Sequence, residues 1–271
     1  MTTGTALITG STSGLGRALA VELHERGWRV LAHGRDEAKL ADLAEATGGG
    51  VTTLRADLSS LAEVRSLAEQ AGERADRLDV LVNNAAVGFG RPGAAREVSA
   101  DGHELRMAVN YLAPVLLTRL LLPLLRTSAP ARVVNVGSIG QIPFDPADAD
   151  FSRGYNGVHA YRRSKLALAA HTFDLAEELR GQGVVVNCVH PAGFMDTPMV
   201  RESGVTPLST VDEGLTAVLA LITAPEVGTG QFYSGTIRAT ALAPAYDPRF
   251  RRDLREVTER MLTTRSGRET G

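Results

Sequence analysis

A chain of 271 residues that is 44% hydrophobic and 22% charged, with a net charge of −2, has the make-up of an ordinary soluble globule. It carries no basic excess to recruit nucleic acid or an anionic membrane. Its one cysteine, Cys188, cannot form an internal disulfide, and its six histidines show no pair at zinc-ligand spacing, so no metal site is expected.

Residues 5–9 form a short apolar run that reads as a buried parallel strand. Gly10-Ser11-Thr12-Ser13-Gly14-Leu15-Gly16 follows, and a helical pattern over 17–26 closes at Gly27. A strand, a glycine-rich turn and a helix start together suit a pyrophosphate: the glycines allow close backbone approach, and the helix offers free amides and its positive dipole end. Gly10, Ser11, Ser13, Gly14, Leu15 and Gly16 are the candidate contacts. The second strand, 28–33, ends at Gly34-Arg35. A carboxylate there would bond the adenosine ribose of NAD, whereas an arginine accommodates the 2′-phosphate of NADP. Gly34 adds no repelling charge and Arg35 offers a planar fork, so NADP(H) is expected over NAD(H), with Arg17 a second, weaker phosphate candidate.

Asp36 caps a helix to Ala46, residues 51–55 form a strand, and 60–74 form an amphipathic helix capped by Ser59 or Ser60. Asp57, with Leu58 beside it, stands where an adenine amino group can be read. The fourth strand, 78–82, ends in Asn83-Asn84-Ala85-Ala86, small and polar residues at the ligand end of a parallel sheet. A helix over 100–126 and a strand over 132–136 lead to Gly137-Ser138. Residues 139–158 are irregular, and their acidic run Asp145 to Asp150 reads as a solvated loop rather than a calcium loop.

A helix then runs to about Arg180, with Tyr161 and Lys165 four apart on one face. A free phenol, with a pKa near ~10, exchanges protons poorly at neutral pH unless a cation stabilises its phenolate. Of the 29 basic residues only Lys39 and Lys165 are lysines, which marks the second as chosen for its chemistry. Strand 184–189 leads into His190-Pro191-Ala192-Gly193, the start of a lid segment over about 191–207. Helix 211–223, edge strand 231–233, helix 247–262 and a frayed tail over 263–271 complete the chain. The alternation predicts one α/β domain over 1–271, a Rossmann-type doubly wound parallel sheet with helices on both faces. The apolar segment 112–125 is interrupted by Arg119 and Pro123 and reads as too short to span a bilayer. The N-terminus lacks a signal-peptide pattern, and a cytoplasmic protein without membrane contact is expected.

Taken together, Thr9-Gly10-x3-Gly14-x-Gly16, Asn83-Asn84-Ala85, Asn110, Ser138 and Tyr161-x3-Lys165 resemble the short-chain dehydrogenase/reductase family. Asp101-Gly102-His103-Glu104-Leu105 and residues 120–125 and 131–136 are similar to its retinol dehydrogenase-like branch. The resemblance implies that Tyr161 is the general acid/base, that Lys165 lowers its pKa and bonds the nicotinamide ribose, that Ser138 holds the substrate oxygen and that Asn110 supports a proton-relay water. It also implies cofactor contacts from Asn84, Ala85, Pro191, Gly193 and Thr197, and a homodimer or homotetramer through the helices bearing Asn110 and Tyr161. Three features depart from the family pattern: Ala86 replaces a glycine, the segment between Pro191 and Thr197 is longer than usual, and so is the interval from Ser138 to Tyr161. The expected activity is reduction of a hydrophobic ketone or aldehyde by NADPH, or oxidation of the matching alcohol. Phe89, Ile142, Phe144, Phe194, Met195 and Met199 are candidates to line its pocket. The alternatives are an NADP(H)-binding scaffold or regulatory protein and a non-redox lyase of the same fold.

Overall fold

The computed structural model describes residues 3–91 and 93–263. Its elements are β1 (Thr5–Ile8), α1 (Gly14–Glu25), β2 (Arg29–Gly34), α2 (Glu37–Ala46), β3 (Val51–Arg55), α3 (Leu61–Arg74), β4 (Val80–Asn83), α4 (Leu105–Met107), α5 (Ala113–Thr127), β5 (Ala131–Val136), α6 (Gly157–Glu178), β6 (Val184–His190), α7 (Pro198–Glu202), α8 (Val211–Thr223), β7 (Gln231–Ser234), β8 (Ile237–Ala239) and α9 (Pro248–Thr263). They build one eight-stranded sheet in the order β3-β2-β1-β4-β5-β6-β7-β8. All neighbours are parallel except β8, which folds back antiparallel on β7.

Both faces of the sheet are covered, which is why β1 and β4 are buried at every position rather than at alternate ones. On one face Leu15, Leu19 and Leu23 of α1 join Val218 and Ile222 of α8 against Ile8, Val82 and Val134. On the other, Val64 and Leu67 of α3, Val115 and Leu121 of α5, and Leu166 and Phe173 of α6 pack on Leu7, Leu81 and Val133. The chain reverses direction across the sheet between β1 and β4. The carboxyl ends of these strands therefore open a crevice, and the glycine turn and Asn84 meet there.

Four features differ from the sequence reading. Helix α1 starts at Gly14, because the glycine turn winds directly into it. The helix expected over 100–126 begins at Leu105 and includes a π-helical turn at Ala108–Leu112 centred on Asn110. Strand β8, only three residues long, takes the edge position expected of β7. Helix α7 forms inside the lid segment. Pro123 does not interrupt its helix, so Leu105–Thr127 is one 23-residue helix, long and apolar enough by composition to cross a membrane. Here 78% of its apolar window is buried in the protein core.

The acidic run is also tied down rather than solvated. Asp148 pairs with Arg163 at 3.2 Å. Asp150 accepts from the Glu104 backbone N–H at 3.0 Å and lies 3.2 Å from His103 Nδ1. Helix α9 lies across α5 and α6 and buries Leu254, Met261 and Leu262. The Tyr111 hydroxyl meets Thr258 Oγ1 at 2.7 Å, Arg251 pairs with Asp174 and Glu177, Arg255 pairs with Asp174, and Arg119 pairs with Glu259. These contacts tie α9 to the helices that carry Asn110 and Tyr161. The expected tail lies, beyond Thr263, outside the described residues.

Candidate active site

Thr9 joins the ends of β1 and β4. Its Oγ1 accepts from the backbone N–H groups of Asn84 (2.9 Å) and Ala85 (3.0 Å), and it donates to the Val82 carbonyl at 3.3 Å. Asn84 returns the contact, with Nδ2 donating to the Thr9 carbonyl at 2.8 Å and to the Gly10 carbonyl at 3.2 Å. Gly16 fits only without a side chain, since a β-carbon there would collide with the Gly10 carbonyl and the Asn84 amide. Gly10 and Gly14 have φ values of +70° and +50°, a region costly for residues with a β-carbon.

His33 fixes this turn and had no signal in the sequence. Its Nδ1 accepts from Gly10 N–H at 3.2 Å, so the proton sits on Nε2, which donates to the Ala56 carbonyl at 3.0 Å. Burial pulls its pKa down to about 4, which keeps the ring neutral and this tautomer in place.

The turn fits a dinucleotide pyrophosphate, though not through every residue expected. Ser13 caps α1 without any side-chain bond to it, which leaves its hydroxyl and the first-turn amides of Gly14, Leu15 and Gly16 directed out of the helix. Ser11 is turned inward, with its hydroxyl donating to the Ile8 carbonyl at 2.7 Å and its amide to the His33 carbonyl at 2.8 Å. The Gly10 amide is likewise taken by His33. Arg35 is exposed at the end of β2 and no carboxylate is paired with it among the described residues. Arg17 pairs with Asp42 at 3.2 Å. Asp57 caps the turn before α3 by accepting from Ser59 N–H at 2.9 Å, and Leu58 is buried beside it.

Across the crevice, the Ser138 hydroxyl stands near the Tyr161 hydroxyl and acts to lower the pKa of the phenol. Ser138 Oγ also accepts from Gly140 N–H at 3.0 Å. Gln141, not anticipated from the sequence, braces this serine: its Nε2 donates to the Ser138 carbonyl at 2.7 Å while its Oε1 accepts from Leu242 N–H at 2.9 Å. The Phe89 ring stands edge-on to Tyr161, with centroids 4.6 Å apart.

Lys165 and Asn110 are both engaged within the protein. Lys165 Nζ donates to the Val136 carbonyl at 2.8 Å and lies 5.6 Å from the Tyr161 ring centroid. Burial pushes the Tyr161 pKa up to about 12, and the neighbouring Ser138 hydroxyl works against that rise. Lys165 is itself buried, and its pKa falls to about 8. The Asn110 side chain bridges the loop after β4 and α6: Oδ1 accepts from Val87 N–H (2.7 Å), and Nδ2 donates to the Val87 carbonyl and to Ser164 Oγ (3.0 Å each). Ser164 donates in turn to the Tyr161 carbonyl at 2.7 Å. Asn110 therefore holds the loop after β4 and α6 together.

The lid reaches both halves of the site. Thr197 lies against Gly14, where a β-carbon would stand 2.9 Å from its Cγ2, and Met199 packs on Gly88. Pro191 is buried, and the Gly193 carbonyl accepts from the Ser209 hydroxyl at 2.6 Å. Of the expected pocket residues, Phe144 instead packs on Phe250 and Met195 joins the core around α8. Phe194 remains at the surface with φ +42°.

Residues 4–207 match the short chain dehydrogenase family. Mouse (Mus musculus) retinol dehydrogenase 14 is 36% identical over 292 residues, covering 95% of this chain and 85% of that protein. The crystal structure of an uncharacterized protein from Mycobacterium Paratuberculosis superposes with a TM-score of 0.80 at 27% identity, covering 96% of this chain and 94% of the other. The Pseudomonas aeruginosa RhlG/NADP active-site complex superposes with a TM-score of 0.69 at 34% identity, covering 85% and 93%. With Ser138, Tyr161 and Lys165 gathered at the end of β5 and a glycine turn opposite them, the chain belongs to the short-chain dehydrogenase/reductase family, in its retinol dehydrogenase-like branch.

Proposed function

We propose that this oxidoreductase is an NADPH-dependent reductase of apolar ketones or aldehydes. The observation that carries the reading is the gathering of the Ser138 hydroxyl, fixed on Gly140 N–H, the Tyr161 phenol and the Lys165 ammonium, fixed on the Val136 carbonyl, at the carboxyl end of the sheet. Two preorganised hydroxyls there meet the needs of a carbonyl oxygen that becomes negative. NADPH, when bound, supplies the hydride. Ser138 donates a hydrogen bond to the oxygen, and Tyr161 transfers its proton there as the alkoxide forms. A phenol with a raised pKa is fully protonated at neutral pH, which suits the reductive direction.

The cofactor preference rests on Arg35, which is exposed at the end of β2 with no carboxylate paired with it among the described residues, and on Gly34 before it. The similar RhlG structure is an NADP complex, which supports the same choice. An apolar substrate is supported by the exposed Ile139, Val158, Phe194 and Leu208, which belong to the segments flanking Ser138 and Tyr161 and to the lid.

The test is NADPH oxidation with a panel of ketones and aldehydes, repeated with NADH. Tyr161→Phe should bind NADPH normally and turn over at least ~100-fold more slowly. A variant with full activity would remove Tyr161 from the chemistry. A wild-type protein that binds NADPH but reduces nothing would instead favour a binding role.

A further inference from the structure

We propose that Arg106 is a positioning residue of the active site, holding the loop after β4 so that Phe89 stands against the catalytic Tyr161. Arg106 is 1% exposed, and its guanidinium donates to four groups. Nε donates to the Gly88 carbonyl at 2.9 Å, Nη1 to the Tyr155 hydroxyl at 2.7 Å and to Glu104 at 3.2 Å, and Nη2 to Glu97 at 3.2 Å. Glu104 is also 1% exposed and balances the buried charge. It further accepts from the Tyr155 hydroxyl at 3.1 Å and from Met107 N–H at 2.8 Å, so the network is closed on the protein side.

These partners lie on the two segments that meet at the Phe89–Tyr161 contact. Gly88 immediately precedes Phe89. Gly90 immediately follows it, with φ +75°, and a β-carbon there would stand 2.7 Å from Arg106 Nη2. Tyr155 lies just before α6, the helix that carries Tyr161. The Phe89 carbonyl approaches Gly157, the first residue of α6, so closely that a side chain at 157 would not fit. Phe89 is thus held on one side by the guanidinium and on the other by the start of the catalytic helix. Its ring meets Tyr161 at 82° with centroids 4.6 Å apart.

An apolar residue at 106 could fill much of this volume. It could not join Gly88, Tyr155 and two carboxylates at once, which requires a planar fork of donors. Burying a charged pair is a poor route to stability alone, whereas a fully satisfied polar network fixes one geometry. What it fixes here is the loop that faces the phenol.

The experiment is a double-mutant cycle between Arg106→Met and Phe89→Ala, read by fluorine NMR of protein labelled with 3-fluorotyrosine. The Tyr161 signal is assigned by its loss in Tyr161→Phe. Each single variant should shift that signal in the same direction, and the double variant should shift it no further than the larger single. In turnover, each should lower kcat by roughly tenfold to a hundredfold while KM for NADPH stays unchanged, again without multiplication in the double. An unmoved Tyr161 signal in Arg106→Met, or independent effects that multiply, overturns the proposal. Where Arg106→Met does not fold, Arg106→Lys serves: it keeps the charge beside Glu104 but not the fork, and should shift the signal part of the way, while an unmoved signal overturns the proposal. The kinetic arm rests on the redox reading above. A wild type without turnover would defeat that reading, and the fluorine signal would still decide this one.

Discussion

Lys165 Nζ donates to the backbone carbonyl of Val136, two residues before Ser138, at 2.8 Å. Lys165 is 2% exposed and pairs with no carboxylate among the described residues, so its charge is held at a cost to folding. With a folded pKa of about 8 against an ordinary 10.5, the unfolded chain binds the proton more tightly. The cost is complete below pH 8 and is relieved as pH rises toward 10.5. Lys165→Met should therefore be more stable than wild type at pH 7 although inactive. The pKa difference corresponds to about 3 kcal/mol, and the lost bond to Val136 offsets about 1 kcal/mol. Denaturant unfolding at pH 7 and pH 9.5 measures the margin, which should narrow at the higher pH. A wild type more stable than the variant at pH 7 contradicts the argument.

Arg35 makes a cleaner test of the cofactor, because it has no partner among the described residues that its removal would strand. Arg35→Ala should raise KM for NADPH about tenfold, the worth of one charge-assisted contact, and leave KM for NADH within twofold. Thermal stability should not change, since the side chain is exposed. Equal losses for both dinucleotides would mean that Arg35 does not read the 2′-phosphate.

Much of the fold was legible because parallel strands are continuous apolar runs and the helices between them carry strong periodicity. The glycine turn, Ser138, Tyr161 and Lys165 were legible because their chemistry demands particular residue types at particular spacings. Other parts depend on contacts between distant residues, which leave no local trace. His33 reaches Gly10 and Ala56 across two neighbouring strands. Arg106 looks like an ordinary helix cation, yet it serves Gly88, Glu97 and Tyr155. The π-helical turn at Asn110 interrupts no periodicity strongly enough to be seen, and β8 is too short to signal itself. Residues 145–150 read as solvent-facing from charge alone, whereas Asp148 and Asp150 anchor the segment to Arg163 and His103.

Asn110 uses both ends of its amide on Val87, and a one-atom change separates the two directions. Asn110→Asp keeps the acceptor for Val87 N–H but sets a second oxygen against the Val87 carbonyl and the hydroxyl of Ser164, which already donates to Tyr161. Two buried acceptors then face each other without a proton, at a cost of about 2 to 4 kcal/mol. Unfolding experiments should show that loss, and kcat should fall with it because the same amide steadies the Tyr161 carbonyl through Ser164. Asn110→Asp with wild-type stability would place the side chain elsewhere.

His103 and Asp150 make the docking of α9 sensitive to pH. The imidazole lies between Asp150 at 3.2 Å and the Met261 carbonyl of α9 at 3.0 Å, so the protonated ring can donate in both directions. The hydrogen bond to Asp150 raises the His103 pKa against the opposing effect of burial. The Asp150 pKa is lowered: burial acts to raise it, but the bonds from His103 and the Glu104 backbone outweigh that. A raised histidine contributes stability that is present below its unfolded pKa of 6.5 and is lost as pH rises through the higher folded value. A lowered carboxylate contributes stability present above 3.8 and lost as pH falls through its lower folded value. The clamp is therefore tightest between about pH 4 and 6.5 and slackens toward pH 8. Hydrogen exchange in residues 254–262, corrected for intrinsic rate, should show less protection at pH 8 than at pH 6, and His103→Gln should remove the difference. Protection that is unchanged from pH 6 to pH 8 would show that α9 is held by Leu254, Tyr111 and the Arg251 pairs alone.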